Sequence, residues 1–83
     1  MSSRFMKYDF YIPVFNLCIE YDGKQHYKPI DRFGGIIEFL KQQINDKIKN
    51  NYCKDNNIDL LRIPYWDFKN IEQILHEKFK QYE

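Results

Sequence analysis

Residues 8–22, with the sequence YDFYIPVFNLCIEYD, decide the fold. The two halves of this stretch, 8–12 and 16–22, are rich in aromatic and β-branched residues and flank Pro13, which predicts an antiparallel hairpin. With the turn at 13–16, residues whose numbers sum to 29 face each other, and a slip of one residue would destroy the continuous apolar face. The predicted pairs on that face are Ile12 with Leu17, Phe10 with Ile19, and Tyr8 with Tyr21.

The opposite face of the predicted hairpin is acidic. The same register places Asp9 opposite Glu20, and Asp22 follows on that face with Lys7 beside it. Facing carboxylates are destabilising unless a cation, a shared proton or good solvation compensates. Carboxylates suit Mg²⁺ or Mn²⁺ better than zinc, so we expect Asp9 and Glu20 to bind Mg²⁺ or Mn²⁺. The alternative is the solvated, charged face of an edge hairpin.

The residues that follow the hairpin add groups suited to phosphodiester hydrolysis. His26 comes four residues after Asp22, where an imidazole could activate water or protonate a leaving oxygen near neutral pH. Lys24 and Lys7 are candidates to stabilise negative charge that develops on a phosphate. These residues extend the predicted acidic site into a candidate catalytic site.

The remaining chain predicts a loop at 23–35, a helix at 36–55, a strand at 58–63 and a helix at 68–81 with Asp67 or Asn70 as N-cap. The first helix has an apolar stripe spaced by four, while Asp46 lies in line with Phe39 and Cys53, so two protected faces are expected. The predicted fold is a small mixed α/β (α+β) sheet of order β-β-α-β-α, forming one domain over 1–83. The stripe consists of Ile36, Leu40, Ile44, Ile48 and Tyr52.

Composition narrows the class of protein. The 83 residues are 43% hydrophobic and 18% aromatic, which excludes a disordered chain. A net charge of +1 excludes a strongly basic, histone-like binder. Two distant cysteines form no disulfide framework, and neither a membrane span nor a signal core is present, so we expect a soluble, intracellular protein without membrane partners.

Two segments carry a family resemblance: DFYIP at 9–13 and IEYDGKQH at 19–26. They resemble the very-short-patch-repair-like branch of the PD-(D/E)XK nucleases, notably the EDxHD homing endonuclease domains of phages and related viral genes. DKIKN at 46–50 resembles the helical D-x-x-[RK]-[DN] segment, and LLRI at 60–63 is similar to the last core strand of that family. The resemblance covers about residues 8–75 and implies a metal-dependent DNA endonuclease with a PD-(D/E)XK core.

The resemblance assigns Asp9 and Glu20 to the catalytic metal, and it matches Asp22 and His26 to the acid and the histidine that follow. Asp46, and with it Lys49, would lie at the rim of the active site; the alternative is that both are solvated helix charges. Asp22 occupies the usual lysine position, so His26 is the expected replacement. Relatives carry an N-terminal helix before the first strand, whereas only residues 1–7 precede it here, which suggests a truncated or minimal version.

The loop after His26 interleaves aromatic and basic groups that could contact DNA phosphates and bases, although a packed loop has the same composition. A domain of this size contacts few base pairs, so recognition of a long site would need a homodimer or an additional DNA-binding domain. A viral protein of this kind would act in the host cytoplasm or nucleus. The second hypothesis is a catalytically inactive module that binds nucleic acid or protein. The candidate DNA-binding residues are Tyr27, Lys28, Arg32, Phe33 and Lys49.

Overall fold

A three-stranded sheet lies at the centre of the computed structural model, which describes residues 7–83. The order of the strands in the sheet is β1-β2-β3; β1 and β2 are antiparallel, and β2 and β3 are parallel. The predicted small mixed sheet and the chain order β-β-α-β-α are confirmed. The elements are β1 (Phe10–Ile12), β2 (Leu17–Asp22), α1 (Gly35–Asp55), β3 (Asp59–Pro64) and α2 (Ile71–Lys80).

The hairpin has the predicted register, with Phe10 opposite Ile19 and Ile12 opposite Leu17. Its turn is a single 3-10 turn at Pro13–Phe15, closed by Asn16 in the left-handed region (φ 49°). Asparagine tolerates this conformation better than most residues. Its side chain also holds the turn in place: Oδ1 accepts a hydrogen bond from the Tyr11 hydroxyl at 2.9 Å, and Nδ2 donates one to a backbone carbonyl at 3.1 Å.

The predicted position of Tyr8 on the apolar face, opposite Tyr21, is wrong. β1 begins at Phe10, and the Tyr8 hydroxyl instead donates to the Lys49 carbonyl of α1 at 3.0 Å. The reason is local: the Asp9 carboxylate accepts a hydrogen bond from the Tyr21 backbone N–H at 2.8 Å. The Asp9 side chain therefore occupies the N–H that the next backbone–backbone hydrogen bond of the hairpin would have used, and the strand pairing ends there.

The apolar face of the sheet packs against α2. Leu17, Ile19 and Ile63 are buried at the centre of this contact. The helix begins at Ile71 rather than at 68, because a 3-10 turn at Tyr65–Asn70 connects it to β3. The aromatic rings of Phe15 and Tyr82 stack at 4.5 Å between centroids and close one end of the core. The α2 residues in contact with the core are Ile71, Ile74, Leu75 and Phe79.

α1 lies over the acidic face of the sheet, and it begins where Gly34 and Gly35 adopt positive φ angles of 94° and 65°. A Cβ at Gly34 would lie 2.1 Å from a Glu38 side-chain carbon, so only glycine fits there. Of the two protected faces predicted for α1, one is correct and the other is wrong. The face with Phe39, Asp46 and Cys53 packs inward, whereas four residues of the stripe spaced by four are 50–61% exposed.

The physical reason for this orientation is the charge beneath the helix. Glu20 and Asp22 are buried on the face of the sheet that α1 covers. An aliphatic stripe over them would leave both carboxylates without partners, which is costly in a low-dielectric environment. The helix instead presents polar and cationic side chains to the sheet.

Three further predictions concern a membrane span, the N-terminus and the loop at 23–35. Within residues 7–83, no helix has both the length and the apolar character needed to span a bilayer. The predicted lack of an N-terminal helix concerns residues 1–7, of which 1–6 lie outside the described residues. The loop predicted at 23–35 contains short 3-10 turns at Lys24–His26 and Asp31–Phe33.

Candidate active site

Two buried carboxylates on β2 form the centre of the candidate site. Glu20 and Asp22 alternate with the apolar residues of the strand, so both point towards α1, and they are only 4% and 3% exposed. The parallel pairing of the strands places Arg62 beside Glu20. Carboxylates buried to this degree keep their charge only when cations or hydrogen bonds compensate for lost solvent.

Each buried carboxylate has its own cation. The Lys49 ammonium, reaching down from α1, lies 3.2 Å from Glu20 Oε1. One guanidinium nitrogen of Arg62 lies 2.8 Å from Asp22 Oδ1 and 3.1 Å from Oδ2. A cation was expected to stabilise the acidic face, and the described residues supply two of them from within the fold.

Arg62 also links β3 to α1. Its Nε donates to Asn50 Oδ1 at 2.7 Å, and its Nη2 donates to the Asp46 carbonyl at 3.3 Å. These bonds use the planar guanidinium in several directions, which a lysine ammonium could not reproduce. Arg62 therefore fixes the distance between the acidic strand and the helix above it.

A histidine–carboxylate pair completes the cluster. His26 Nδ1 lies 2.9 Å from Asp46 Oδ2, and 3.6 Å from Asp22 Oδ1. Because an ionised carboxylate only accepts hydrogen bonds, Nδ1 is the donor and Nε2 is left to face other groups. The Gln43 amide donates to the His26 carbonyl at 2.7 Å, and the Gln42 amide donates to Asp46 Oδ1 at 2.9 Å. Both the imidazole and its partner are thus held in place by α1.

Asp9 lies at the exposed edge of this cluster. Its backbone N–H donates to Glu20 Oε1 at 3.3 Å, and its own carboxylate accepts from the Tyr21 N–H. The two side chains predicted to meet across the hairpin are therefore neighbours, although each is bonded to the other strand's backbone. Within the described residues, no group of three or more His, Cys, Asp or Glu side chains is arranged to hold a metal ion.

Asp9 and Glu20 nevertheless fit one class of metal site. Mg²⁺ commonly binds proteins through one or two carboxylates and keeps several of its waters, so the exposed Asp9 and the buried Glu20 beside it would suffice as protein ligands. Glu20 Oε1 is already bonded to Lys49, so an incoming cation would displace that ammonium or share the carboxylate with it. The donor set suits Mg²⁺ or Mn²⁺ better than zinc, which prefers nitrogen and sulfur.

The candidate DNA-binding residues separate into three places. Lys28 and Arg32 are exposed on the loop, where the Arg32 guanidinium lies 5.0 Å from the ring centre of the half-exposed Phe33. Lys24, predicted to stabilise charge on the phosphate, is exposed on the same loop. A cavity of about 210 Å³ opens beside this loop, lined in part by Lys28, Phe33 and Gln42. Lys49 lies elsewhere, in the acidic cluster.

Tyr27 belongs to an aromatic group at the end of β3. Its ring centre lies 5.8 Å from that of Tyr65 and 4.7 Å from that of Trp66. Burial raises the pKa of the Tyr27 hydroxyl above its ordinary value. Trp66 itself is exposed, so this group forms a partly packed aromatic surface next to the loop.

Sequence reasoning missed the part played by Arg62, Asn50 and Gln42. Arg62 does interrupt an otherwise apolar strand, and such an arginine in a buried strand requires a buried acid as partner. Identifying Asp22 as that acid needs the parallel register between β2 and β3, which no local pattern specifies. Asn50 and Gln42 lie on the second protected face that the sequence predicted for α1, but their hydrogen bonds to Arg62 and Asp46 could not be read from that pattern.

Comparison with known proteins finds viral relatives. The chain is 41% identical over 76 residues to uncharacterized protein 307L of Invertebrate iridescent virus 6, covering 90% of this chain and 38% of that protein. It is 33% identical over 78 residues to uncharacterized protein 094L of Frog virus 3, covering 92% and 50%. Protein 033L of Invertebrate iridescent virus 3 matches at 36% over 61 residues, covering 72% and 31%.

The chain therefore spans between about a third and a half of the length of these curated relatives. No family model matches, and no solved structure matches. The viral origin of the relatives agrees with the viral or phage origin that the sequence suggested.

Proposed function

We propose that this chain is a divalent-metal-dependent DNA endonuclease domain, similar to the very-short-patch-repair-like and homing branch of the PD-(D/E)XK nucleases. One observation carries the proposal. Residues named by the family motif, which come from three separate segments of the chain, converge on one side of one sheet. Asp22, His26 and Asp46 are linked there by contacts of 2.8–3.7 Å, directly or through Arg62. Glu20, on the same strand face, pairs with Lys49 at 3.2 Å.

The energetics of the cluster support a functional role. Buried ion pairs usually stabilise a fold less than well-packed hydrophobic residues of the same volume would. Here two carboxylates, a lysine, an arginine and a histidine–aspartate pair occupy one face of a domain with few buried positions. Such dense, coupled charge is typical of sites that perform chemistry.

In this proposal the residues have distinct tasks. Asp9 and Glu20 hold the metal ion, which when bound polarises the phosphate and lowers the pKa of a water molecule. His26 accepts or donates a proton at Nε2, and Asp46 keeps the imidazole oriented through Nδ1. Lys49, 3.2 Å from Glu20, is placed to stabilise negative charge on the phosphate, so in this proposal it takes the role of the missing motif lysine in place of His26, the replacement expected from the sequence.

Two other groups of residues position the site and contact DNA. Asp22 with Arg62 holds the second acid of the motif at a fixed position beside His26. Lys24, Lys28 and Arg32, which are exposed on the loop, contact the DNA backbone, and Phe33 packs on a base or a sugar. Tyr27 supports this surface from the aromatic group.

A second candidate function is a catalytically inactive module that binds nucleic acid. The observation that favours it is the internal neutralisation of the acids: Glu20 Oε1 already interacts with Lys49 and with the Asp9 N–H. In that case the cluster is a polar scaffold, and only the basic, aromatic loop contacts DNA.

Nicking of supercoiled plasmid in Mg²⁺ or Mn²⁺ separates these functions. We expect the wild type to nick, Glu20→Gln to lose at least about a hundredfold in rate, and the surface control Glu38→Gln to match the wild type. Circular dichroism verifies that each variant is folded. A folded wild type that binds DNA without nicking supports the inactive module. Equal nicking by wild type and Glu20→Gln refutes the site assignment.

A further inference from the structure

A small cavity, here called the loop cavity, is lined by the loop at 23–35 and by the first two turns of α1. Its volume is about 210 Å³. Sites for drug-sized ligands have about 300–1,000 Å³, so the loop cavity has room for one planar ring system rather than for a larger ligand. The side chains that line it include Gln25, Lys28, Ile30, Phe33, Phe39 and Gln42.

Gly23 keeps one wall of the loop cavity in place. Its φ of −70° is open to any residue, so the backbone conformation does not require a glycine there. The reason for the glycine is space: a Cβ at position 23 would lie 2.7 Å from Gln25 Oε1. The absence of a side chain at Gly23 therefore lets the Gln25 amide lie against the backbone at the cavity wall.

The two glutamines of the wall have unused hydrogen-bonding groups. Within residues 7–83, the Gln25 side-chain amide makes no hydrogen bond, and Gln42 uses only its Nε2, which donates to Asp46 Oδ1 at 2.9 Å. Glutamine amides pair with the edges of bases, adenine above all, through one donor and one acceptor. Both side chains are half-buried, so a ligand that enters the cavity meets these groups with little competition from water.

Aromatic and cationic side chains accompany the glutamines. Phe33 supplies ring surface, with the Arg32 guanidinium 5.0 Å from its centre. Lys28 lines the cavity and is exposed, so it can also reach a phosphate outside. The Glu38 carboxylate, at the same wall, is already paired with Lys41 at 3.2 Å, and we assign it no contact with the ligand. A ring for stacking, amides for a base edge and cations for the neighbouring phosphate together match a nucleobase.

We propose, on the basis of the proposed function, that the loop cavity binds one unpaired base of the DNA substrate. A base stacked within a duplex cannot reach a cavity, so the bound base must be extruded or already unpaired. Gln42 joins this base to the candidate active site, because the Asp46 carboxylate that accepts from Gln42 through Oδ1 holds His26 Nδ1 at 2.9 Å through Oδ2. The bound base therefore selects which phosphodiester of the DNA lies beside His26.

Fluorescence anisotropy in EDTA measures the binding of the base without cleavage. The probe is a short duplex with one bulged adenine, compared with the fully paired duplex and with a duplex whose bulge is abasic. A bulged base is already unpaired, so the cost of extruding it is small. We expect the adenine bulge to bind at least about tenfold more tightly than either comparison duplex, because stacking and the amide contacts exist only for it.

Two variants and a matched control locate the base. Gln25→Ala removes the amide, and Gly23→Ala displaces it with a Cβ at a φ that alanine adopts freely, so each should lower the preference for the bulge by at least about fivefold. Gln73→Ala, which changes an exposed glutamine of α2, should keep the preference. Circular dichroism verifies that each variant is folded.

Equal affinity for the adenine bulge and the paired duplex overturns the proposal. Equal affinity for the abasic bulge also overturns it, because the bent backbone would then be what the protein recognises. A preference that survives Gln25→Ala places the base elsewhere and overturns it as well. Because the binding assay contains no metal, its outcome is separable from nuclease activity: a protein that nicks plasmid without preferring the bulge lacks the base site, whereas one that prefers the bulge without nicking has the base site and is an inactive module.

Discussion

The two faces of β2 differ in what they bury. Leu17 and Ile19 point towards α2 and pack among aliphatic and aromatic side chains, whereas Glu20 and Asp22 point towards α1 and meet Lys49 and Arg62. Both faces exclude water, but only the first gains the hydrophobic free energy that stabilises small domains. The difference indicates that the α2 side maintains the fold, whereas the α1 side, the proposed site of chemistry, carries buried charge at some cost in stability.

The largest effect is expected on the apolar face. Leu17 is fully buried, so Leu17→Ala should lower the free energy of unfolding by about 2–5 kcal/mol through lost burial and a cavity. Urea denaturation measures this change. Ile44→Ala, on the exposed side of α1, should stay within about 0.5 kcal/mol of the wild type. Similar losses at both positions would contradict the assignment of the core.

On the charged face, breaking a pair should cost more than removing it. Asp22→Asn leaves the Arg62 guanidinium with only the Asp46 carboxylate, 3.7 Å away, and should destabilise the protein by about 2–3 kcal/mol. Combining it with Arg62→Gln should recover part of that loss, giving a coupling energy above about 1 kcal/mol in a double-mutant cycle. Additive effects would mean that the pair contributes nothing beyond its separate members.

The variant Lys49→Gln tests whether the Lys49 ammonium competes with a metal ion for Glu20 or is only a structural cation. Lys49→Gln removes a positive charge 3.2 Å from Glu20 Oε1, so Mn²⁺ affinity should rise by about tenfold while nicking falls. Isothermal titration with Mn²⁺ and the plasmid assay measure the two quantities. Lys47→Gln, on the outward side of the helix, is the matched control. Unchanged metal affinity in Lys49→Gln would argue against a metal at Glu20.

The smallest effect concerns Asp59 at the start of β3, away from both faces of β2. Hydrogen bonds from Lys78 and then from the Tyr82 hydroxyl lower the pKa of Asp59. The folded-state pKa is therefore below the unfolded value of about 3.9, so this contribution is present above pH 4 and is lost as the pH falls further. Because Asp59 is partly exposed, we expect less than about 1 kcal/mol. Asp59→Asn should abolish that part of the acid dependence of unfolding.

The contrast between the two faces also explains what sequence could predict. The hairpin register followed from alternation, because a one-residue slip moves every side chain to the other face. The register and the family motif together singled out Asp9 and Glu20 as candidate site residues, and the motif singled out His26. The orientation of α1 was predicted incorrectly at its stripe, because hydrophobic periodicity assumes that the apolar side packs inward. Here the long-range pairing of Asp22 with Arg62 determined the inward side instead, and that pairing depends on a parallel register between distant strands.

The central claim is that the charged face of β2 is a metal-binding catalytic face rather than a scaffold of ion pairs. A measurement of metal binding tests this claim more directly than a cleavage assay, because metal binding requires neither contacts with DNA nor an additional DNA-binding domain. In a ¹H–¹⁵N NMR titration with Mn²⁺, the amides of Asp9, Phe10 and Tyr21 should broaden first, and Glu20→Gln should abolish that selectivity. Broadening first at Glu72 and Glu77 of α2, unchanged by Glu20→Gln, would contradict the account.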